Sequence, residues 1–223
     1  IGYNYFVIRK FFETYRGDDI MSKKDIDSQI KEEAKNLDYS IEGRKLTYQE
    51  FLKIDKVDNK RYEYIDGRIY LLASPVYKHQ KILGNIYFLF KNCFKNKNCE
   101  PLMAPFDVTL FKEDKNMNIV QPDMLVICDH DKINKKGRYT GTPTLVLEIL
   151  SDSTAKNDMI RKFNLYMKSG VVEYWVIDPD SDIVSIYYFQ DKELKKNDVY
   201  EKDGKAKSHV FDGLEIQLKE IFT

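Results

Sequence analysis

A single carboxylate interrupts an otherwise apolar run in this chain, Leu145-Val146-Leu147-Glu148-Ile149-Leu150. A segment apolar on both faces belongs in the middle of a sheet that is covered on each side. An ionised carboxylate there is costly unless it is paired, protonated or bound to a metal. Glu148 therefore needs a partner from a neighbouring element. Asp123, after Pro122 in the apolar segment Val120–Cys128, is the first choice. If the two segments pair as antiparallel strands with Asp123 opposite Glu148, Ile127 falls opposite Thr144 and residues 128–143 form the connecting loop. The two side chains then share a face, with about 5 Å between their Cβ atoms. Adjacent carboxylates repel, so the pKa of one should rise, and a divalent cation between them is the natural relief.

The next segment supplies a cation. Ser153 or Thr154 is the expected cap of a helix running to Ser169, with Gly170 as its stop. Asp158, Lys162 and Tyr166 lie four apart and form a polar stripe, while Ile160, Phe163 and Met167 form an apolar stripe expected against the sheet. Lys162 would then reach toward Glu148 from the edge of the helix contact. A lysine beside paired carboxylates can orient a water and offset the charge of a phosphate under attack.

Other signals complete a mixed α/β chain. Thr47 and Glu50 form a capping box that opens a short helix through Lys53. Asp66-Gly67 joins Tyr62–Ile65 to Arg68–Leu72 in a tight hairpin. Ser74-Pro75 should start a helix whose apolar positions Ile82, Ile86, Leu89 and Phe90 recur up to Phe94. Strands follow at 106–111, 120–128, 144–150, 173–177 and 183–189, and residues 192–223 read as peripheral hairpin and tail. Residues 1–43 are expected to be a loosely ordered N-terminal extension, with a polar helix or tail at Ser22–Glu33, and 44–223 the domain. Met21 is the first methionine, and Arg16-Gly17 is compatible with the purine-rich codons of a ribosome-binding site. Residues before Met21 are therefore expected to be translated upstream sequence or the product of a misassigned start site.

Composition removes several function classes. Hydrophobic residues at 43% under 32% charged residues provide a core and a solvated surface, so the chain is not disordered. Lysine plus arginine equals aspartate plus glutamate, 36 against 36, and leaves no global field to draw in nucleic acid. The apolar runs are too short to cross a membrane as a helix. Cys93, Cys99 and Cys128 cannot all pair and lack metal-ligand spacing, which suggests reduced thiols and a cytoplasmic protein.

Gln121-Pro122-Asp123 followed by Glu148-Ile149-Leu150 resembles the PD-(D/E)XK nuclease signature, with Leu150 where its lysine belongs. The longer series is similar to the Uma2 family (formerly DUF820) of that superfamily. It comprises Tyr62-Glu63, Asp66-Gly67, Ser74-Pro75, His79, Pro122-Asp123, Glu148 to Ser151, Ser153-Thr154, Asp158, Lys162, Tyr166 and Gly170 to Asp178. The resemblance spans about residues 46–189. It implies a restriction-endonuclease-like core, a central mixed β-sheet flanked by helices with an N-terminal β-hairpin. It also implies Mg²⁺-dependent (or Mn²⁺-dependent) phosphodiester hydrolysis of nucleic acid, DNA foremost, and is compatible with a homodimer. Asp123 and Glu148 become metal ligands with the backbone carbonyl of Ile149, and Lys162 takes over the role of the missing lysine. Glu63 would add a further carboxylate, and His79, Asp158 and Tyr166 are accessory positions.

Each residue also has a plainer role: Asp123 can cap a strand, Lys162 can pair with Asp158, and His79 can be an ordinary helix residue. Trp175 and Tyr174 sit in an apolar strand and belong to the core. The basic loop residues Lys132, Lys135, Lys136 and Arg138 lie at the far end of the expected hairpin, about 17 Å from Asp123 at ~3.4 Å per residue. They are expected to be solvated rather than catalytic. The alternative to a nuclease is a binding or assembly module on a degraded nuclease fold. Intact Asp123, Glu148 and Lys162 favour the enzyme.

Overall fold

The computed structural model describes residues 42–57, 60–113, 116–151 and 155–223, with the side chains of 55–57 and 155–158 outside that description. The expected features of residues 1–41 and the capping of a helix by Ser153 or Thr154 lie outside the described residues. Thr47 N–H donates to Glu50 Oε2 at 2.7 Å and Glu50 N–H to Thr47 Oγ1 at 3.3 Å, so the capping box closes and α1 (Tyr48–Val57) follows. That helix runs beyond the expected end at Lys53. Asp66 and Gly67 both take positive φ, +51° and +74°, and join β1 (Tyr62–Ile65) to β2 (Arg68–Leu71). Helix α2 (Tyr77–Cys93) starts two residues after Pro75 and buries Ile82, Leu83, Ile86 and Phe90.

Strands β3 (Glu100–Met103), β4 (Val108–Phe111), β5 (Met117–Val120) and β6 (Met124–Ile127) come next. The expected single strand over 120–128 is divided, because Pro122 has no N–H for a ladder. β5 ends in one sheet and β6 begins in another. A four-stranded sheet has the order β2-β1-β5-β4. β7 (Leu145–Ile149) and α3 (Ala155–Ser169) precede β8 (Glu173–Asp178), β9 (Ile183–Gln190) and β10 (Glu193–Glu201). The six-stranded sheet runs β10-β9-β8-β7-β6-β3, parallel only between β7 and β8. β11 (Lys205–Lys207) and β12 (Glu215–Gln217) form a small hairpin.

The six-stranded sheet is covered on both faces. Met124, Val126, Leu145, Leu147, Ile149 and Trp175 pack with α2. Leu125, Ile127, Val146, Tyr174 and Val176 pack with Leu165 and Tyr166 of α3 and with Val108, Leu110 and Val120 of the second sheet. Three expectations change. The tail is not peripheral: Leu214, Ile216, Leu218, Ile221 and Phe222 are buried in the α2 core. The inward face of α3 carries Lys162, Leu165 and Tyr166, while Ile160 is 57% exposed, because the site behind the helix offers partners for polar groups that solvent would otherwise supply. Cys99 and Cys128 are disulfide-bonded and only Cys93 is free, contrary to the reduced reading. The pairing of Glu100 with Ile127 explains this, since one further step brings 99 opposite 128.

Candidate active site

The β6–β7 register places the two key carboxylates. Met124 pairs with Leu147, Leu125 with Val146 and Val126 with Leu145, the register expected from the sequence. One further step sets Asp123 opposite Glu148. By alternation both belong to the face that carries Leu125 and Val146, beneath α3. Lys162 and Tyr166, one helical turn apart, come down from α3 onto that face. Glu63 arrives from β1 of the other sheet and accepts the Gln121 backbone N–H at 3.0 Å. The sequence reading missed this last contact, and the signal was present in Pro122, which ends one strand and leaves the preceding amide available.

The side chains form one connected network. Lys162 Nζ lies 3.1 Å from Glu63 Oε1 and 3.1 Å from Glu148 Oε1. Tyr166 donates its hydroxyl to Glu148 Oε1 at 2.6 Å. Asp123 Oδ2 accepts the Ile149 N–H at 2.8 Å and lies 3.1 Å from His79 Nε2. In an extended strand the N–H and C=O of one residue point to the same side. The Ile149 carbonyl is therefore directed toward the Asp123 side of β7. Asp158 lies on α3, but its side chain falls outside the described residues. The basic loop stays apart: Lys132, Lys135 and Lys136 are exposed, and Arg138 pairs with Asp107 at 2.9 Å.

Burial dominates the electrostatics. Glu63, Lys162, Glu148 and Tyr166 are all buried. The Glu148 carboxyl is pushed up to about 8, first by burial and then by the charges of Asp123 and Glu63, against the opposing pull of Lys162 and the Tyr166 hydroxyl. The expected rise in one member of the pair is thus present, but desolvation outweighs repulsion. Burial and the nearby Glu148 charge hold the Tyr166 hydroxyl well above its ordinary value, so it stays a donor.

Acceptors remain open on both facing carboxylates. Asp123 Oδ1 and Glu148 Oε2 make no hydrogen bond or ion pair among the described residues, and neither is a buried orphan. Each carboxylate is thus anchored through one oxygen with the other at liberty. Among the described residues, no group of three or more His, Cys, Asp or Glu side chains is arranged to hold a metal ion. Magnesium does not require one, since it binds through one or two carboxylates and keeps waters or substrate phosphates for the rest. The donor set of Asp123, Glu148 and the Ile149 carbonyl fits that ion.

The Uma2 family pattern, described as "Putative restriction endonuclease", matches residues 48–219. The chain belongs to the Uma2 family. Two relatives come from Synechocystis sp.. Uncharacterized protein slr1290 is 28% identical over 148 residues, 66% of this chain and 76% of that protein. Uncharacterized protein sll1609 is 25% identical over 135 residues, 60% of this chain and 75% of that protein. The crystal structure of a "putative nuclease belonging to DUF820" from Anabaena variabilis superposes with a TM-score of 0.65 at 23% identity, over 79% of this chain and 97% of that one. This Uma2 chain therefore has the restriction-endonuclease-like fold. No helix among its described residues is long and apolar enough to cross a membrane.

Proposed function

We propose that this Uma2 protein is a Mg²⁺- or Mn²⁺-dependent nuclease that hydrolyses phosphodiester bonds, with DNA as the first substrate to test. The observation that carries the reading is the paired carboxylates of Asp123 and Glu148, each anchored through one oxygen and open at the other. With the Ile149 carbonyl they would hold the divalent ion. When bound, that ion supplies Lewis acidity toward a phosphate oxygen and lowers the pKa of water.

The chain's own residues do the remainder. Lys162 places a fixed positive charge beside the carboxylates, where it orients the attacking water and offsets charge developing on the phosphate. It fills the role of the signature lysine, whose strand position holds Leu150. Glu63 anchors Lys162 through Oε1, which also accepts the Gln121 amide, while its second oxygen makes no hydrogen bond or ion pair among the described residues. Tyr166 fixes the orientation of Glu148 through its hydroxyl.

The test is cleavage of end-labelled single- and double-stranded DNA and RNA with Mg²⁺ or Mn²⁺, with and without EDTA. Wild type should cleave at least one substrate, and EDTA or Asp123→Ala should abolish cleavage. Binding without cleavage under every condition would replace this reading with the assembly-module one. Cleavage that survives EDTA would remove the metal from it.

A further inference from the structure

His79 is a buried polar residue beside the carboxylates to which the proposed mechanism gives no task. His79 sits in the first turn of α2, which packs on the opposite face of the sheet from α3. It is 6% exposed. Its one polar contact among the described residues is the 3.1 Å approach of Nε2 to Asp123 Oδ2, the oxygen that also accepts the Ile149 N–H at 2.8 Å. Its other ring nitrogen, Nδ1, is buried with no hydrogen-bond partner among the described residues. A buried, unpaired polar atom costs free energy, and a proton on it costs more than a lone pair. A proton on Nδ1 alone would also set the Nε2 lone pair against a carboxylate. The network therefore assigns the ring proton to Nε2, which donates to Asp123.

We infer that His79 is a positioning residue for Asp123. Together with the Ile149 amide it saturates Oδ2, which leaves Oδ1 as the acceptor the carboxylate can offer to a metal. Hydrogen-bond partners standing behind a metal ligand fix its orientation in this way. An ordinary core histidine would have no reason to spend its only hydrogen bond on this carboxylate while leaving Nδ1 unpaired. The inference rests on the proposed metal role of Asp123, and it assigns to α2 a function that its packing alone does not require.

The experiment is Mn²⁺ titration by calorimetry of the full chain and of His79→Ala, His79→Asn and His79→Gln, each checked for native circular dichroism. The glutamine amide can replace Nε2, whereas the shorter asparagine amide reaches only the Nδ1 position. Glutamine should stay within about threefold of wild type, while asparagine and alanine should weaken Mn²⁺ binding by roughly 10–100-fold, the usual cost of losing such a partner. In cleavage assays the same variants should need more metal yet approach the wild-type kcat at saturation. If alanine does not fold, the glutamine and asparagine variants still decide the matter. Wild type that binds Mn²⁺ with all three variants binding equally overturns the inference alone. Wild type that binds no Mn²⁺ overturns the metal reading and the inference with it.

Discussion

Lys162 Nζ lies 3.1 Å from Glu148 Oε1, and neither side chain is more than 10% exposed. A lysine at the edge of a helix would be dispensable to the fold, but this one is enclosed between two buried carboxylates. Removing one partner of a buried pair leaves an uncompensated charge, at a cost of about 3–5 kcal/mol. Lys162→Ala should therefore lose about that much stability as well as activity. Well above pH 8, where Glu148 is ionised, adding Glu148→Gln should recover part of the loss. Urea denaturation of the two single variants and the double variant checks this, and purely additive losses would mean that the two groups do not interact.

Stability without metal should fall as pH rises from the ordinary carboxylate range to about 8. Glu148 is raised from 4.5 to about 8 in the folded protein, so between those values only the folded state holds this proton. The unfolded state binds fewer protons there, and stability declines with pH until the folded group has ionised. Glu148→Gln should lack this component. Comparing urea midpoints of wild type and variant near pH 6 and near pH 8.5 measures it. Parallel behaviour of the two proteins would contradict the raised pKa.

Metal binding should release a proton in the same window. A metal requires the carboxylate form of Glu148, so affinity should increase as pH rises toward about 8 and then level off. Calorimetric Mn²⁺ titrations in buffers of different ionisation enthalpy count the proton directly. No proton release near neutral pH would remove Glu148 from the ligand set or from its raised state.

Two glycines should respond in opposite ways to alanine. A Cβ on Gly141 would lie 2.5 Å from the Tyr139 hydroxyl and 2.8 Å from Asp129 Oδ2, the pair whose hydrogen bond pins the loop between β6 and β7. Overpacking there should cost about 1–3 kcal/mol. A Cβ on Gly84, inside α2, meets nothing within 4 Å. Gly84→Ala should stabilise by roughly 0.5–1 kcal/mol through the gain in helix propensity. Thermal melts of the two variants provide the comparison, and a neutral Gly141→Ala would mean that the loop is not packed as described.

What could be read in advance was governed by local rules. The Asp66-Gly67 turn needed only positive φ, and the β6–β7 register followed from side-chain alternation and one misplaced carboxylate. The rest depended on contacts between distant elements. Nothing local distinguishes an inward Lys162 from an outward one, and of the apolar stripe Phe163 and Met167 pack against the sheet while Ile160 is exposed. The buried tail from Leu214 to Phe222 has too short an apolar pattern to announce its place beside α2. His79 reaches Asp123 around the end of a strand, a proximity that no spacing along the chain encodes.

Gln121, Pro122 and Asp123 carry the chain from β5 in one sheet to β6 in the other. At one end of this three-residue link the Gln121 amide holds Glu63, and at the other end Asp123 stands opposite Glu148. Lys162 reaches both Glu63 and Glu148, spanning the same seam from above. The cluster thus works as a rivet through two plates. Any sliding of one sheet against the other loads the lysine bridge directly, so the rigidity of the reaction centre and the rigidity of the joint between the sheets are one mechanical property.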